Sequence, residues 1–233
     1  MRVMWVAPLV LALGVGTASA ATISTAETNR LRESAKVVRE LRDMPDKGIP
    51  DDLWNRAECV VVIPNMKKAA FGIGGEYGRG VMSCRSANGW TAPVFMTLAK
   101  GTWGLQIGAE QVDLVLLVMN KRGAEKMLQD NISLGADASV AAGPVGRAGT
   151  ASTDAQFSAE ILSYSRAAGV FAGIDLSGGV LRPDKDSNTD VYGPNRAARD
   201  IVAGTGVPVP AAATDFVRSL GSEARATTGK KKE

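Results

Sequence analysis

The sequence predicts an α+β fold in which a curved, mainly antiparallel, glycine-rich sheet is combined with an N-terminal amphipathic helix and short C-terminal helices. Two observations lead to this prediction. Apolar and β-branched runs succeed one another over residues 59–120 without a long helix between them, which is typical of antiparallel strands. The chain of 233 residues also contains 26 glycines, many of them inside these runs, where glycine favours bends and close strand packing.

The chain begins with the pattern of a Sec-type signal peptide. Arg2 precedes an apolar run over residues 3–15, and the small residues Ala18, Ser19 and Ala20 follow that run. The run is too short to span a bilayer, so we expect cleavage after Ala20 and export to the periplasm or the periphery of the outer membrane. No cysteine directly follows Ala20, so a lipid-attached form is not expected.

We divide the chain into four segments. They are a signal peptide (1–20), an N-terminal helical segment (21–56), a domain that includes the C-terminal helices (57–222) and a flexible basic tail (223–233). No segment after the signal peptide is apolar for long enough to cross a membrane.

An amphipathic helix is predicted over residues 24–44. Ser24 and Glu27 have the spacing of a capping box at its start, and Pro45 should end it. Its apolar face could pack on the protein's own sheet or lie in a membrane interface, where five basic against four acidic residues would attract anionic lipid only weakly. In the second case the membrane-contacting residues would be Leu31, Lys36, Val38, Arg39 and Leu41.

Strands are predicted between this helix and the C-terminal helices. The run CVVVIP, from Cys59, predicts a buried strand, and AAFGIGGEYGRGVMSCR predicts two strands around a turn near Tyr77 and Gly78. Residues 89–120 supply three more strands, and ISLGADASVAAGPVG and FSAEILSYSRAAGVFAGIDLSGGVL have the small-residue alternation of closely packed strands. Helices are predicted over residues 49–54, 121–130, 195–203 and 211–220.

The glycines of GIGGEYGRG could cradle a phosphate or shape the sheet. A P-loop requires GxxxxGK[ST], which the chain lacks, and a dinucleotide-binding loop requires GxGxxG between a strand and a helix. Gly75, Gly78 and Gly80 have a different spacing, and a strand follows them. We therefore expect these glycines to allow bends and close backbone approach rather than to bind a nucleotide.

The composition excludes several classes of site. The chain has no histidine, which excludes Ser-His-Asp and Cys-His catalysis and histidine-ligated metals, and its two cysteines cannot form a Cys₄ site. A formal net charge of +3 is too small to indicate nucleic acid binding on its own. We predict no catalytic residues, no metal and no cofactor.

Three carboxylates, Glu76, Glu110 and Asp113, lie among the glycine-rich strands. A pair of them could in principle serve as acid and base in glycoside hydrolysis. Charges at strand ends, or an ion pair with Arg79, are the preferred interpretation.

A second acidic run has the alternation of a calcium loop. Asp184, Asp186, Asn188 and Asp190 resemble its first ligands, but no glycine follows Asn188, and Asn195 stands where the bidentate glutamate belongs. An Asx-rich turn that closes a strand is therefore the preferred interpretation.

Cys59 and Cys84 could form one disulfide or remain two buried thiols. The predicted hairpin can fold Cys84 back towards the strand that contains Cys59, and export favours the bridge. In the loop-entropy model the bridge would stabilise the fold by roughly 3 kcal/mol.

Several consecutive motifs resemble the SYLF (Ysc84) domain. They are, in the order and spacing of that family, CVVVIPNMKKAAFGIGGEYGRGVMSCR, WTAPVFMTLAKGTWGLQIGAEQVDLVLLVMN, LGADASVAAGPVG and YSRAAGVFAGIDLSGGVL, and they extend over about residues 57–193. The resemblance implies lipid binding, since eukaryotic members bind phosphoinositides and curved membranes through a basic amphipathic N-terminal helix, and some associate with actin. It implies no enzymatic activity.

The resemblance also implies where lipid would bind. Lys67 and Lys68 match the basic end of a strand-loop motif of the family, and residues 24–44 match its amphipathic segment. Arg79 and Arg85, on the predicted hairpin, could complete a basic patch for phospholipid headgroups. The alternative for these cations is a solvated loop and strand edge.

The sequence therefore predicts a non-enzymatic protein of a bacterial envelope that binds anionic phospholipid or associates with the membrane. Because of the signal peptide, anionic phospholipid is the expected partner in place of phosphoinositides or actin. The alternative is a structural or protein-interaction module that binds another envelope protein without lipid specificity.

Overall fold

The computed structural model of the chain describes residues 23–44, 48–145, 158–167, 170–203 and 206–221. The predicted signal peptide and basic tail lie outside these residues. The predicted α+β fold is confirmed: a curled, mainly antiparallel sheet is combined with an N-terminal helix and short C-terminal helices.

The helices are α1 (Thr25–Arg42), α2 (Asp51–Arg56), α3 (Lys121–Met127), α4 (Lys185–Tyr192), α5 (Ala198–Val202) and α6 (Thr214–Ser219), the last preceded by a 3₁₀ turn (Ala211–Ala213). The strands are β1 (Cys59–Ser86), β2 (Gly89–Trp90), β3 (Val94–Val118), β4 (Ile132–Ser133), β5 (Val140–Ala142), β6 (Ile161–Ala167), β7 (Val170–Gly173) and β8 (Gly179–Pro183).

β1 and β3 form one long antiparallel ribbon. The turn predicted near Tyr77 and Gly78 is wrong, because β1 passes through both residues and the chain reverses only after Ser86. The three strands predicted over residues 89–120 are two, β2 and β3. Glycines inside a continuous strand give the same local sequence pattern as glycines in a hairpin turn.

Two glycines allow β1 to curl back over its own beginning. A Cβ atom on Gly80 would overlap the carbonyl oxygen of Val62 and lie 2.7 Å from Ile63 Cγ1, and one on Gly78 would lie 3.0 Å from Met66 Cγ. Only glycine leaves room for this approach, so these glycines serve the backbone geometry, as the sequence predicts.

The curl also explains how the two cysteines meet. The backbone N–H of Arg85 donates to the carbonyl oxygen of Glu58 at 2.8 Å, so the end of β1 lies beside its first residue. The Cys59 and Cys84 sulfurs form a disulfide across this junction. The cysteines therefore meet through the curl of one strand rather than through the predicted hairpin.

Further strands join β3 only near its two ends. β8 pairs with residues 96–100 and β6 pairs with residues 113–118, while β4 pairs with β8, and β5 and β7 pair with β6. Between these two regions, β3 pairs with β1 through residues 101–103 and 107–112, and it pairs there with no other described strand.

The apolar face of α1 packs against one face of the sheet. Leu31, Val38 and Leu41 are each no more than 2% exposed and belong to a core that α1 and α6 share with the sheet. The capping box predicted at Ser24 and Glu27 is present. In this structure α1 therefore packs on the protein's own sheet, which is the first of the two interpretations of its apolar face. None of the described helices is both long and apolar enough to cross a membrane.

Candidate functional site

An open groove of about 630 Å³ lies between the two halves of the curled strand β1. Lys67 lines it from the outgoing half, and residues 75–77 line it from the returning half. The other lining residues are Ala99, Lys100 and Gly101 of β3, and Gly178 and Val180 at the start of β8. The curl therefore places residues that are distant in sequence on one concave surface.

Two lysines from different strands reach this groove. Lys67 is exposed and forms no ion pair with any described residue. Lys100 is opposite Glu76 in the β1–β3 register, and its ammonium group donates to the carbonyl oxygen of Asp175 at 3.1 Å. An ammonium group has three donor protons, so Lys100 retains donors for a ligand.

An aromatic ring and a carboxylate lie beside these lysines. Tyr77 is 46% exposed, which makes it one of the few large exposed side chains with an apolar body among the described residues. Hydrogen bonds from Ser177 lower the pKa of Asp175, and the Lys100 charge adds to that shift, so Asp175 stays ionised at neutral pH. Its charge partly offsets that of Lys100 and leaves Lys67 as the dominant cation of the groove.

Lys68, predicted to bind headgroups together with Lys67, is engaged within the protein. Its ammonium nitrogen lies 3.8 Å from Glu76 Oε1, and the two side chains are only 25% and 12% exposed. Glu76 Oε2 is buried without a hydrogen-bond partner among the described groups, so Lys68 supplies the charge that compensates this carboxylate. The ion pair joins the two halves of the curl beside the groove.

The structure does not bring the two predicted arginines to the groove. Arg79 Nε lies 3.5 Å from Asp184 Oδ2. Arg85 donates to the carbonyl oxygen of Trp54 at 3.1 Å, and its guanidinium carbon lies 4.4 Å from the centre of the Trp90 ring, so it ties α2 to the sheet. The predicted patch of four cations is therefore not formed, and the groove contains one of its members with Lys100 instead.

Lys100 and Tyr77 are the groove residues that the sequence argument did not assign. Both become neighbours of Lys67 only through the curl of β1 and the register of β3. Because a turn was predicted at Tyr77, the sequence could not indicate which β3 residue lies opposite each residue of β1. Lys100, directly before Gly101, is visible in the sequence as a cation, but nothing in the sequence indicates that it lies beside Lys67.

A buried polar cluster fixes the start of α1, and we call it the α1 latch. Its members, Glu27, Arg30, Asp184 and Ser187, are each no more than 7% exposed. Arg30 Nη1 donates to Asp184 Oδ2 at 3.0 Å, and Ser187 Oγ donates to Glu27 Oε1 at 3.1 Å. Burial alone would raise the pKa of Glu27, but the hydrogen bonds from Ser24 and Ser187 outweigh it and lower that pKa.

The latch bears on the membrane role predicted for α1. Leu31, Val38 and Leu41 face the core, whereas Lys36 and Arg39 are exposed on the other side of the helix. The five residues therefore do not form one outward surface, and membrane contact through the apolar three would require α1 to leave the sheet.

Asp184 begins helix α4 and is not part of a calcium loop. Its carboxylate accepts from the backbone N–H of Ser187 as the N-cap of α4 and also binds Arg30. Asn188 is buried and exchanges hydrogen bonds of 2.9 Å with the backbone of Phe95. The predicted Asx-rich turn is therefore the start of a helix. The part of the chain that the structure describes contains no group of three or more acidic, cysteine or histidine side chains suited to a metal.

Of the three carboxylates weighed as a catalytic set, two are held in ion pairs. Glu76 faces Lys68, while Asp113 Oδ2 accepts from Arg166 Nε at 2.9 Å. Arg166 also binds Glu40 of α1. Glu110 is exposed. Asp113 and Glu76 thus form ion pairs that hold parts of the fold together.

A second cleft, of about 870 Å³, lies among α3, α4 and α5. Arg196 and Arg199 line it and pair with no described acidic side chain. Lys185 also lines it, and its ammonium nitrogen lies 2.9 Å from Asp130 on the opposite side. Two exposed guanidinium groups make this cleft a surface that could receive acidic side chains of another protein.

Comparison with known proteins identifies relatives of this chain. Residues 99–223 match a family described as Ysc84, Las17-binding protein actin regulator. SH3 domain-containing YSC84-like protein 1 of Rattus norvegicus is 34% identical over 198 residues, which cover 82% of this chain and 58% of the relative.

Two yeast proteins are similar over shorter shares of their length. LAS seventeen-binding protein 3 of Saccharomyces cerevisiae is 34% identical over 171 residues, 71% of this chain and 37% of the relative. Protein YSC84 of the same species is 32% identical over 183 residues, 77% of this chain and 39% of the relative. The chain thus spans between about a third and three fifths of the length of these relatives. The family description and the name of LAS seventeen-binding protein 3 describe binding or regulatory proteins rather than enzymes. The resemblance of the sequence motifs is confirmed, and the chain belongs to the Ysc84 (SYLF) family.

Proposed function

We propose that this protein binds anionic phospholipid headgroups at the groove between Lys67 and Lys100, as a non-enzymatic, membrane-associated protein of a bacterial envelope. Membership of the Ysc84 family makes the chain a protein-interaction or membrane-associated module. The observation that supports lipid is the convergence of two lysines from separate strands on an open groove beside the exposed ring of Tyr77. An ammonium pair of this kind complements the phosphate of a lipid headgroup.

The charges of the groove predict the strength of this preference. Each lysine near an anionic surface contributes about 1 kcal/mol, so two of them correspond to roughly a 30-fold preference for anionic over neutral vesicles. This attraction acts between solvent-exposed charges, so added salt should screen and weaken it.

Two features support the envelope as the location. The first 20 residues have the order of a Sec-type signal peptide. The Cys59–Cys84 disulfide is a bond typical of oxidising compartments outside the cytosol.

Sedimentation with vesicles tests the proposal. Phosphatidylcholine vesicles with graded fractions of phosphatidylglycerol are incubated with the protein and with a Lys67→Glu/Lys100→Glu variant, at low and high salt. We expect binding that rises with phosphatidylglycerol, falls with salt and is at least roughly 30-fold weaker in the variant. Lys68 is left unchanged, because its replacement would leave the buried carboxylate of Glu76 without its cationic partner.

A matched control separates the site from net charge. The Arg56→Glu/Lys121→Glu variant has the same change in charge at two exposed positions that line neither the groove nor the cleft that contains Arg196 and Arg199. It should bind as the unaltered protein does. Equal loss in both variants would show that net charge rather than the groove determines binding, and the site would then be wrong.

A protein-interaction module is the second candidate. The names of the relatives and the cleft that contains Arg196 and Arg199 favour it. Absence of vesicle binding at every lipid composition and salt concentration would contradict the lipid proposal and leave this candidate.

A further inference from the structure

The face of the sheet on which α1 packs continues beyond the start of the helix. Val81 of β1 and Phe95 of β3 belong to the core beneath α1 and lie opposite each other in the register. Directly opposed residues of an antiparallel pair share one face, and so do residues two apart on one strand. The face can therefore be followed from this pair along the strands, and we call it the α1 face.

The next row on the α1 face contains two arginines. Arg79 of β1 is opposite Thr97 of β3, and Thr97 is opposite Arg182 of β8. Leu181, the neighbour of Arg182, belongs to the core on the other face of the sheet, so Arg182 points to the α1 face. We call Arg79, Thr97 and Arg182 the arginine row.

Both ends of the arginine row are accessible. Arg182 is exposed, and it pairs with no acidic side chain of the described chain. The side chain of Arg79 is 48% exposed, and its Nε lies 3.5 Å from Asp184 Oδ2, whereas Arg30 holds the same oxygen at 3.0 Å. Because one carboxylate is shared between two guanidinium groups, Arg79 and Arg182 both keep donors for a ligand.

The width of the row suits a single anion. Neighbouring strands lie about 4.8 Å apart, so the Cα atoms of Arg79 and Arg182 are about 10 Å apart, with Thr97 between them. Thr97 is short and 5% exposed, which leaves room for both guanidinium groups to close over it. A guanidinium group binds phosphate through two parallel hydrogen bonds. The arginine row therefore fits a phosphate group.

The row adjoins the groove on the same face. Two residues further along the strands, Tyr77, Ala99 and Val180 form the next row, and all three line the groove. Lys67 also points to the α1 face, because its neighbour Met66 belongs to the core on the other face. Two residues of a strand span about 7 Å, so a phosphate in the arginine row would lie close to one in the groove.

We propose that the protein binds phospholipid headgroups in which one glycerol joins two phosphates, as in diphosphatidylglycerol (cardiolipin). One phosphate lies in the groove at Lys67, and the other lies between Arg79 and Arg182. The inference rests on the proposed function and names the class of headgroup. Once the first phosphate is bound, binding of the second is intramolecular, which strengthens the complex without immobilising another lipid. The ring of Tyr77, 46% exposed, lies between the two positions and is available to pack on the glycerol.

Carboxylates of another protein are the competing ligand, because the guanidinium group also fits a carboxylate. The position of the row favours lipid phosphates. Lys67 and Arg182 lie on one face of the sheet with only the row of Tyr77 between them, so a membrane surface that reaches the lysine also reaches the arginine.

Binding to vesicles of equal charge tests the inference. Phosphatidylcholine vesicles contain either phosphatidylglycerol or half that mole fraction of cardiolipin, so both surfaces present nearly the same negative charge. We expect the protein to bind the cardiolipin vesicles about tenfold more tightly. The Arg182→Gln variant should bind both kinds of vesicle with nearly equal affinity, since it has lost one end of the arginine row.

Two further variants separate the row from net charge. Arg79→Gln removes the other end of the row while Arg30 keeps its ion pair with Asp184, so it should also lower the preference for cardiolipin. Arg56→Gln is the control, because it removes the same charge at an exposed position outside the groove and the row. It should leave the preference unchanged. Circular dichroism checks that all three variants fold.

The outcomes separate this inference from the proposed function. A preference for cardiolipin that Arg182→Gln abolishes and Arg56→Gln keeps supports the arginine row. Equal binding of the unaltered protein to both kinds of vesicle, or a preference that Arg182→Gln retains, overturns the row and leaves the headgroup proposal standing. Loss of the preference in Arg56→Gln as well would assign it to net charge and would also overturn the row. Absence of vesicle binding overturns both proposals.

Discussion

Replacement of Asp184 by asparagine tests how firmly α1 is held on the sheet. The change removes the carboxylate that Arg30 faces, while asparagine keeps the size of the side chain and remains a good N-cap for α4. The expected loss therefore comes from Arg30, whose side chain is 6% exposed and would be left without a countercharge.

The structure sets the size of this loss. Removing one partner of a buried ion pair costs about 3–5 kcal/mol. The Arg30 guanidinium would keep the Ser187 hydroxyl at 3.4 Å and the face of the Phe95 ring, 5.2 Å from its centre. We therefore expect the lower end of the range, a decrease of about 3 kcal/mol in the free energy of unfolding.

Urea unfolding followed by circular dichroism measures this decrease. Asp215→Asn is the control, because Asp215 pairs with Arg218 at 3.0 Å but both side chains are 74% exposed, and an exposed pair should contribute less than about 1 kcal/mol. A loss below about 1 kcal/mol in Asp184→Asn, or equal losses in the two variants, would refute the reasoning that burial makes the α1 latch strong.

The same variant distinguishes lipid binding through α1 from lipid binding at the groove. If α1 had to leave the sheet to bind lipid, loosening its latch would strengthen vesicle binding. If lipid binds at the groove while α1 stays on the sheet, vesicle binding under conditions where Asp184→Asn is still folded should equal that of the unaltered protein. Stronger binding by the variant would therefore return the membrane role to α1.

Two further predictions concern the sheet and its pH dependence. Gly80→Ala should destabilise the protein by about 3 kcal/mol, because the new Cβ would overlap the carbonyl oxygen of Val62. In the control, Gly101→Ala, the new Cβ meets no atom within 4 Å, so stability should change by no more than about 0.5 kcal/mol. Similar stabilities of the two variants in urea would show that β1 does not curl as described. Burial alone would raise the pKa of Glu160, but hydrogen bonds, led by the one from Lys126 at 2.7 Å, lower it. Glu160→Gln should therefore reduce the free energy of unfolding by about 2 kcal/mol at pH 7, and this difference should disappear as the pH falls through the lowered pKa of the folded protein. A pH-independent difference would contradict the ion-pair explanation.

The parts of the fold that the sequence predicted correctly are those determined by local patterns. The capping box of Ser24 and Glu27 and the apolar spacing of α1 are contained within a few turns, and they gave this helix to within two residues at each end. The turn predicted at Tyr77 failed because glycine favours a turn and a close strand contact equally. What decides between them is the position of Val62, which is not encoded near Gly80.

The candidate site was predictable only in part, for the same reason. Lys67 was identified through the family resemblance, but the groups that neutralise the other predicted cations are distant in sequence. Arg79 meets Asp184 and Lys68 meets Glu76 only after β1 has curled and α4 has packed beside α1. A charge run in a sequence gives the number of cations, whereas their availability to a ligand depends on partners that tertiary structure supplies.

The curl of β1 links the fold to the proposed function. The close approach that requires Gly80 returns the strand to its own beginning, and this return places Lys67 beside the segment that contains Glu76 and Tyr77. The groove is thus a consequence of one backbone contact. A glycine substitution that opens the curl without unfolding the sheet should therefore reduce vesicle binding, although it changes no charge of the groove.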